Sequence, residues 1–142
     1  MALTREERER FLAEPHVAAL AVDSAEGGRA PLSVPIWYQY EPGGDVWIMT
    51  GRRSRKGVLI AEAGRFTLLV DRVAPTVRYV SVEGPVVGTL PATREQLVEI
   101  SARYLPAEKV EGYVDFAWKE HGEQVVIHMR PQHWLSSDLG QG

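Results

Sequence analysis

The residues best equipped for chemistry stand together at Thr50-Gly51-Arg52-Arg53-Ser54-Arg55-Lys56-Gly57. Four cationic side chains fall within five positions here, beside two hydroxyls and two glycines. Small residues let a backbone approach an anion closely, amides at a helix start point at it, and Arg or Lys neutralise its charge. The apolar run Val46-Trp47-Ile48-Met49 leads in, and Gly57-Val58-Leu59-Ile60-Ala61 leads out with helical character. The segment therefore reads as a strand-to-helix junction, where orphan amide donors gather. The chemistry it suggests is binding of a phosphate; the competing reading is a solvated basic loop. A second group is aromatic: Trp37, Tyr38 and Tyr40 on one strand, with Trp47 on its hairpin partner. Trp37 and Tyr38 alternate, so they cannot both face one core, and one of them is free to line a pocket or an interface.

Composition narrows what such a site can serve. The chain has 142 residues and a net charge of −3, so the basic cluster is a local feature of a mildly acidic chain and general affinity for nucleic acid or anionic membrane is not expected. A single domain over residues 1–142 is expected, large enough for a real core. Cysteine is absent, which excludes disulfides, thiolate metal sites and cysteine nucleophiles. The four histidines, His16, His121, His128 and His133, show neither the helical spacing nor the carboxylate company of a zinc site, so no metal is expected. No nucleophile elbow, dinucleotide fingerprint or ATPase-type phosphate loop occurs. Glu83, Glu95 and Glu99 read as surface or ladder groups. The charged start of the chain and the lack of a long apolar run lead to the expectation of a cytoplasmic protein without membrane partners.

The elements that must position the cluster follow from pattern. Thr4 with Glu7 has capping-box spacing and predicts a helix over 5–13, anchored by Leu3, Phe11 and Leu12. Strands are predicted over 16–23 and 31–40, the second with Leu32, Val34, Ile36, Tyr38 and Tyr40 on one face and Ser33, Pro35, Trp37 and Gln39 on the other. Pro35 within it implies an edge, a bulge or a backbone turned towards something else. The turn Pro42-Gly43-Gly44-Asp45 returns the chain as a strand over 46–50, and a helix from Arg55 ends near Gly64. Strands over 65–71 and 78–90 follow, the latter expected to break or bulge at Gly84-Pro85. Helices over 93–104 (apolar at Leu97, Ile100 and Ala102) and from Pro106 (apolar at Val110, Val114 and Trp118) precede a last strand over 124–129 and a polar tail. The sum is an α+β, mainly β, barrel-like protein.

Together these segments resemble the pyridoxamine 5′-phosphate oxidase-like superfamily of flavin-binding split β-barrels. Thr50, three further residues and then Ser54-Arg55-Lys56 match its threonine-to-Ser-Arg-Lys segment, and Arg78-Tyr79-Val80-Ser81-Val82-Glu83-Gly84 matches its fifth strand. Ser33-Val34-Pro35-Ile36 falls where the superfamily lays backbone beside the flavin ring. The resemblance implies a six-stranded antiparallel split β-barrel with short peripheral helices, forming a homodimer with its cofactor between subunits. It implies cofactor contacts from Val34, Pro35, Ile36, Trp37, Met49, Thr50, Arg53, Ser54, Arg55, Lys56 and Tyr79, and marks no catalytic acid or base. The true oxidases carry an Arg and a Lys in the second strand, where this chain has Ser33, Val34 and Gln39. The small size and the strand Val34-Pro35-Ile36-Trp37-Tyr38 look more like the branch that uses the deazaflavin coenzyme F-420. The resemblance then implies a reductase passing hydride to a small conjugated substrate, with FMN or a non-catalytic cofactor-binding role as the alternatives.

Overall fold

The structure is a computed structural model that describes residues 1–140. Helix α1 (Arg5–Ala13) is closed at its start as the spacing predicts: Thr4 Oγ1 accepts from Glu7 N at 3.2 Å and Glu7 Oε1 accepts from Thr4 N at 2.9 Å. It buries Phe11 and Leu12 against the barrel. The strands are β1 (Ala18–Val22), β2 (Leu32–Ile36), β3 (Tyr38–Gln39), β4 (Val46–Gly51), β5 (Arg65–Arg72), β6 (Val77–Pro91), β7 (Gln124–Met129) and β8 (His133–Gly140). Helix α2 (Arg55–Ala63) follows β4, and α3 (Arg94–Tyr104) and α4 (Ala107–Glu120) form a hairpin between β6 and β7. Every pairing is antiparallel, in the order β2-β1-β5-β6-β7-β4-β3, with β8 also on β6. This is the expected α+β split barrel, mainly β.

Among the described residues the strands number eight rather than six, for two reasons. The ladder expected over 31–40 is interrupted at Trp37, which divides it into β2 and β3. The tail read as polar forms β8, whose register on β6 runs from Glu83↔His133 to Val77↔Gly140. Its Ser136-Ser137-Asp138 sequence carries little strand propensity. Polar partners hold it instead: Asp138 Oδ2 accepts from Thr76 Oγ1 at 2.7 Å and Arg78 Nε at 2.8 Å. With the Gly140 amide, these contacts hold the Asp138 carboxyl down at about 2 from its ordinary 3.8.

Strand β6 is not broken at Gly84-Pro85; its register shifts fall between Val86 and Gly88 against β7 and between Val77 and Arg78 against β8. The pair marks where β6 changes partners, from β5 and β8 up to Pro85 to β7 from Val86 onward. Alternate residues of β1, β4, β5 and β6 fill the main core, with Leu20, Ile48, Leu68 and Val82 fully buried. Tyr38 joins them, its phenol donating to Leu12 O at 2.6 Å, and burial pushes its pKa far above the ordinary 10.0.

The α3–α4 hairpin makes a smaller second core on the outer side of β3 and β4. Leu97, Ile100, Val114 and Ala117 pack there with Trp37, Trp47 and Met49. Two expectations are corrected by helix phase. Ala102 is exposed while Ser101 is buried, because the stripe runs 97, 100, 101. Trp118 is 39% exposed while its neighbour Ala117 takes the buried position.

Candidate functional site

The junction between β4 and α2 is built from its own side chains. Val46, Ile48 and Thr50 point inward along β4, whereas Trp47, Met49 and Gly51 face the other side. Ser54 then caps α2: its Oγ accepts from Gly57 N at 3.1 Å and donates to Gly51 O at 2.8 Å. Thr50 Oγ1 lies 2.9 Å from Ser54 Oγ, and because the Ser54 hydrogen is committed to Gly51, Thr50 is the donor. Gly57 closes the turn, since a Cβ there would lie 2.5 Å from Gly51 O. Both hydroxyls are therefore spent on shaping the turn. The amides of Gly57 and Val58 are taken by Ser54, while those of Arg55 and Lys56 have no partner within the helix.

The four cations divide into two kinds. Arg52 pairs with Glu123 at 3.1 Å, and its amide donates to Glu123 O at 3.0 Å. Arg55 turns away to Glu26 of the β1–β2 turn, at 3.5 Å. Arg53 and Lys56 instead line a cleft of about 960 Å³, and among the described residues neither pairs with a carboxylate.

The rest of the cleft is largely apolar. Pro35 stands on β2, an edge strand paired only with β1, so its missing N–H interrupts no second ladder. Trp37, in the gap between β2 and β3, stacks on Tyr104 at 4.8 Å and 12°, with Tyr113 at 5.6 Å. The Tyr104 hydroxyl accepts from Tyr38 N at 3.1 Å and donates to His16 O at 2.8 Å, tying the start of β3 to the segment before β1. Ile36 and Met49 complete this wall, and Leu97, Ile100, Tyr113 and the segment His121–Gln124 close the other side.

Of the residues singled out from the sequence, Pro35, Ile36, Trp37, Met49, Thr50, Arg53, Ser54 and Lys56 meet around one cleft. Three do not. Val34 packs towards the main core, Arg55 is drawn off by Glu26, and Tyr79 lies on β6 between Asp71 and Ser137. Sequence reasoning did not find Tyr113, His121 and Glu123 as lining residues. The register Gly51↔Gln124 brings the loop of His121 and Glu123 beside the basic turn, Tyr113 reaches the cleft from α4, and neither placement leaves a local signal. Among the described residues, no three His, Asp or Glu side chains gather as a metal site, and no helix is long and apolar enough to cross a membrane.

Fold and cleft thus define a split β-barrel that joins a cationic turn to an aromatic wall. The chain belongs to the pyridoxamine 5′-phosphate oxidase family, whose model matches residues 4–138. Solved structures share the fold at low identity. A conserved hypothetical protein from Mycobacterium tuberculosis is 22% identical with a TM-score of 0.71, covering 97% of this chain and 86% of its own. A protein described as an F-420 reductase is 21% identical with a TM-score of 0.70, covering 89% and 94%. A FAD-binding protein from Mesorhizobium loti is 18% identical with a TM-score of 0.68, covering 99% and 98%. No curated protein matches the sequence.

Proposed function

We propose that this protein is a flavin- or deazaflavin-dependent oxidoreductase, first of all a coenzyme F-420-dependent reductase acting on a small conjugated substrate. The observation that carries this reading is the pairing, in one cleft, of two uncommitted cations with a flat apolar wall. An anionic tail fits Arg53, Lys56 and the free amides at the start of α2, and a planar ring fits Pro35, Ile36 and Met49. Thr50 and Ser54 serve by holding the turn. The ring, when bound, supplies the hydride chemistry, and the protein orients it and keeps water out. FMN is the alternative, because two free cations match a single phosphate. The longer polyanion of the deazaflavin has more to draw on: Arg52 and Arg55 are about half exposed, and such surface pairs are exchanged at little cost.

A homodimer with the cleft at its interface fits the outer sheet face. The register sets Pro35, Ala19, Leu69, Ser81 and Leu135 in one row across β2, β1, β5, β6 and β8, with Leu69 42% and Leu135 65% exposed. Leu69→Arg should halve the mass seen by light scattering; an unchanged mass would remove this face as the interface. The reading also places the protein in the cytoplasm.

The test is a side-by-side titration of the purified protein with FMN and coenzyme F-420. Binding of one or both is expected, with micromolar or tighter affinity for the preferred one, and the reduced form should be reoxidised when a conjugated electrophile is added. Binding without turnover would leave a cofactor carrier, and binding of neither would remove the proposal.

A further inference from the structure

A second, smaller cavity of about 260 Å³ opens between α1, the turn joining β3 to β4 and the connection from β7 to β8. Strands β4 and β7 separate it from the cleft. At the cleft end Gly51 pairs with Gln124; at the other end Val46 pairs with Met129, next to the lining residues Asp45 and Arg130. The strand from Val46 to Gly51 puts roughly 17 Å between the two ends.

Three arginines line this cavity, and they are not equivalent. Arg5 donates to Glu9 at 2.9 Å, and Arg130 stands 3.7 Å from Asp45. Those two pairs account for both carboxylates of the lining. Arg8 is the arginine of α1 that has no ion pair among the described residues, and its buried Nε has no hydrogen-bond partner. Its guanidinium lies over the Trp134 ring, 4.6 Å from the centroid. A ring contact of that kind attracts the charge but supplies no oxygen for the N–H donors. Three arginines against two carboxylates leave one positive charge, and it sits on a group whose donors are unspent.

The walls are already fixed. Tyr40 and Trp134 meet edge to face at 6.3 Å, Gly44 N donates to Glu41 O at 2.9 Å across the turn, and Arg130 N donates to Pro85 O at 3.0 Å. Binding there would cost little ordering. We infer that this cavity is a second anion site, independent of the cofactor cleft, for a small molecule bearing a carboxylate or phosphate group. The oxygens of that group take the free donors of Arg8, with Arg130 reaching it from the β7–β8 side. The volume lies below the range for drug-sized ligands, which excludes a flavin or a nucleotide.

The test is an NMR titration of the isotope-labelled protein with sodium phosphate and, separately, with sodium acetate, at constant ionic strength. The Gly43 and Gly44 amides and the Trp134 indole report this cavity, whereas the Gly51 and Gly57 amides report the basic turn. Saturable shifts at Gly43, Gly44 and Trp134 are expected with at least one of the two anions, and the tighter binder names the group. Arg8→Gln should weaken that binding at least about tenfold, the worth of one charge-assisted hydrogen bond, and leave any affinity read at Gly51 and Gly57 within about twofold. No saturable shift in the cavity with either anion, or unchanged affinity there in Arg8→Gln, would overturn the site. Should Arg8→Gln not fold, Arg130→Gln gives a second comparison, with a loss of at least about threefold expected and an unchanged affinity overturning the site. Shifts confined to Gly51 and Gly57 would sink this cavity and keep the turn as an anion site; shifts confined to the cavity would do the reverse.

Discussion

Replacing Arg53 and Lys56 together by alanine should weaken binding of the preferred cofactor at least about a hundredfold, with little change in thermal stability. Each charge-assisted contact to a phosphate is worth roughly 1.5–3 kcal/mol, so two give about two decades or more. The fold should tolerate the change, because neither side chain is engaged in an ion pair among the described residues. Arg55→Ala is the informative comparison. The family resemblance gives Arg55 a phosphate role, whereas the structure directs it to Glu26 at 3.5 Å, outside the cleft lining. An effect below about fivefold for FMN is therefore expected from Arg55→Ala, since an exposed pair contributes little. A titration in which Arg55→Ala costs as much as the double variant would return the site to the family pattern. One in which the double variant binds normally would dismiss the turn as a phosphate site.

The largest loss of stability should come from a single methyl group, in Gly84→Ala. A Cβ at Gly84 would overlap the carbonyl oxygen of Arg130 and come within 2.8 Å of its carbonyl carbon. Neither atom can rotate away, because this segment is tied to β6 by Arg130 N to Pro85 O at 3.0 Å and Gln132 N to Glu83 O at 2.9 Å. Relief requires pushing the β7–β8 connection off β6 and giving up those bonds. A cost of about 3 kcal/mol or more is expected, at the top of the range for overpacked sites. Gly88→Ala, where nothing lies within 4 Å, is the control and should cost far less. Urea unfolding of the two variants would check this, and a Gly84→Ala protein within about 1 kcal/mol of its parent would refute the argument.

What could be read from sequence was whatever local chemistry determines. The Thr4–Glu7 box, the Gly64 end of α2 and the strand-to-helix placement of the basic turn are short-range features, and all three stand in the structure. Long-range choices were not readable. The Ser136-Ser137-Asp138 run becomes a strand only because β6 offers an unpaired edge and Arg78 and Thr76 offer partners. Next to the gap at Trp37, the Tyr38 amide is taken by a tyrosine hydroxyl 66 positions away from it. Arg55 reads the same as Lys56 in sequence, and only the fold brings Glu26 to one and the cleft to the other.

The partner exchange along β6 has a consequence for how a ligand arrives. β7, which follows the His121–Gln124 loop, is paired with β6 on one side and on the other with β4, which carries the basic turn, so both flanks of the site stand in one continuous ladder with the strand that anchors β5 and β8. The anion site is thereby already formed before anything occupies it, and capture is governed by diffusion and the local positive field rather than by a folding step.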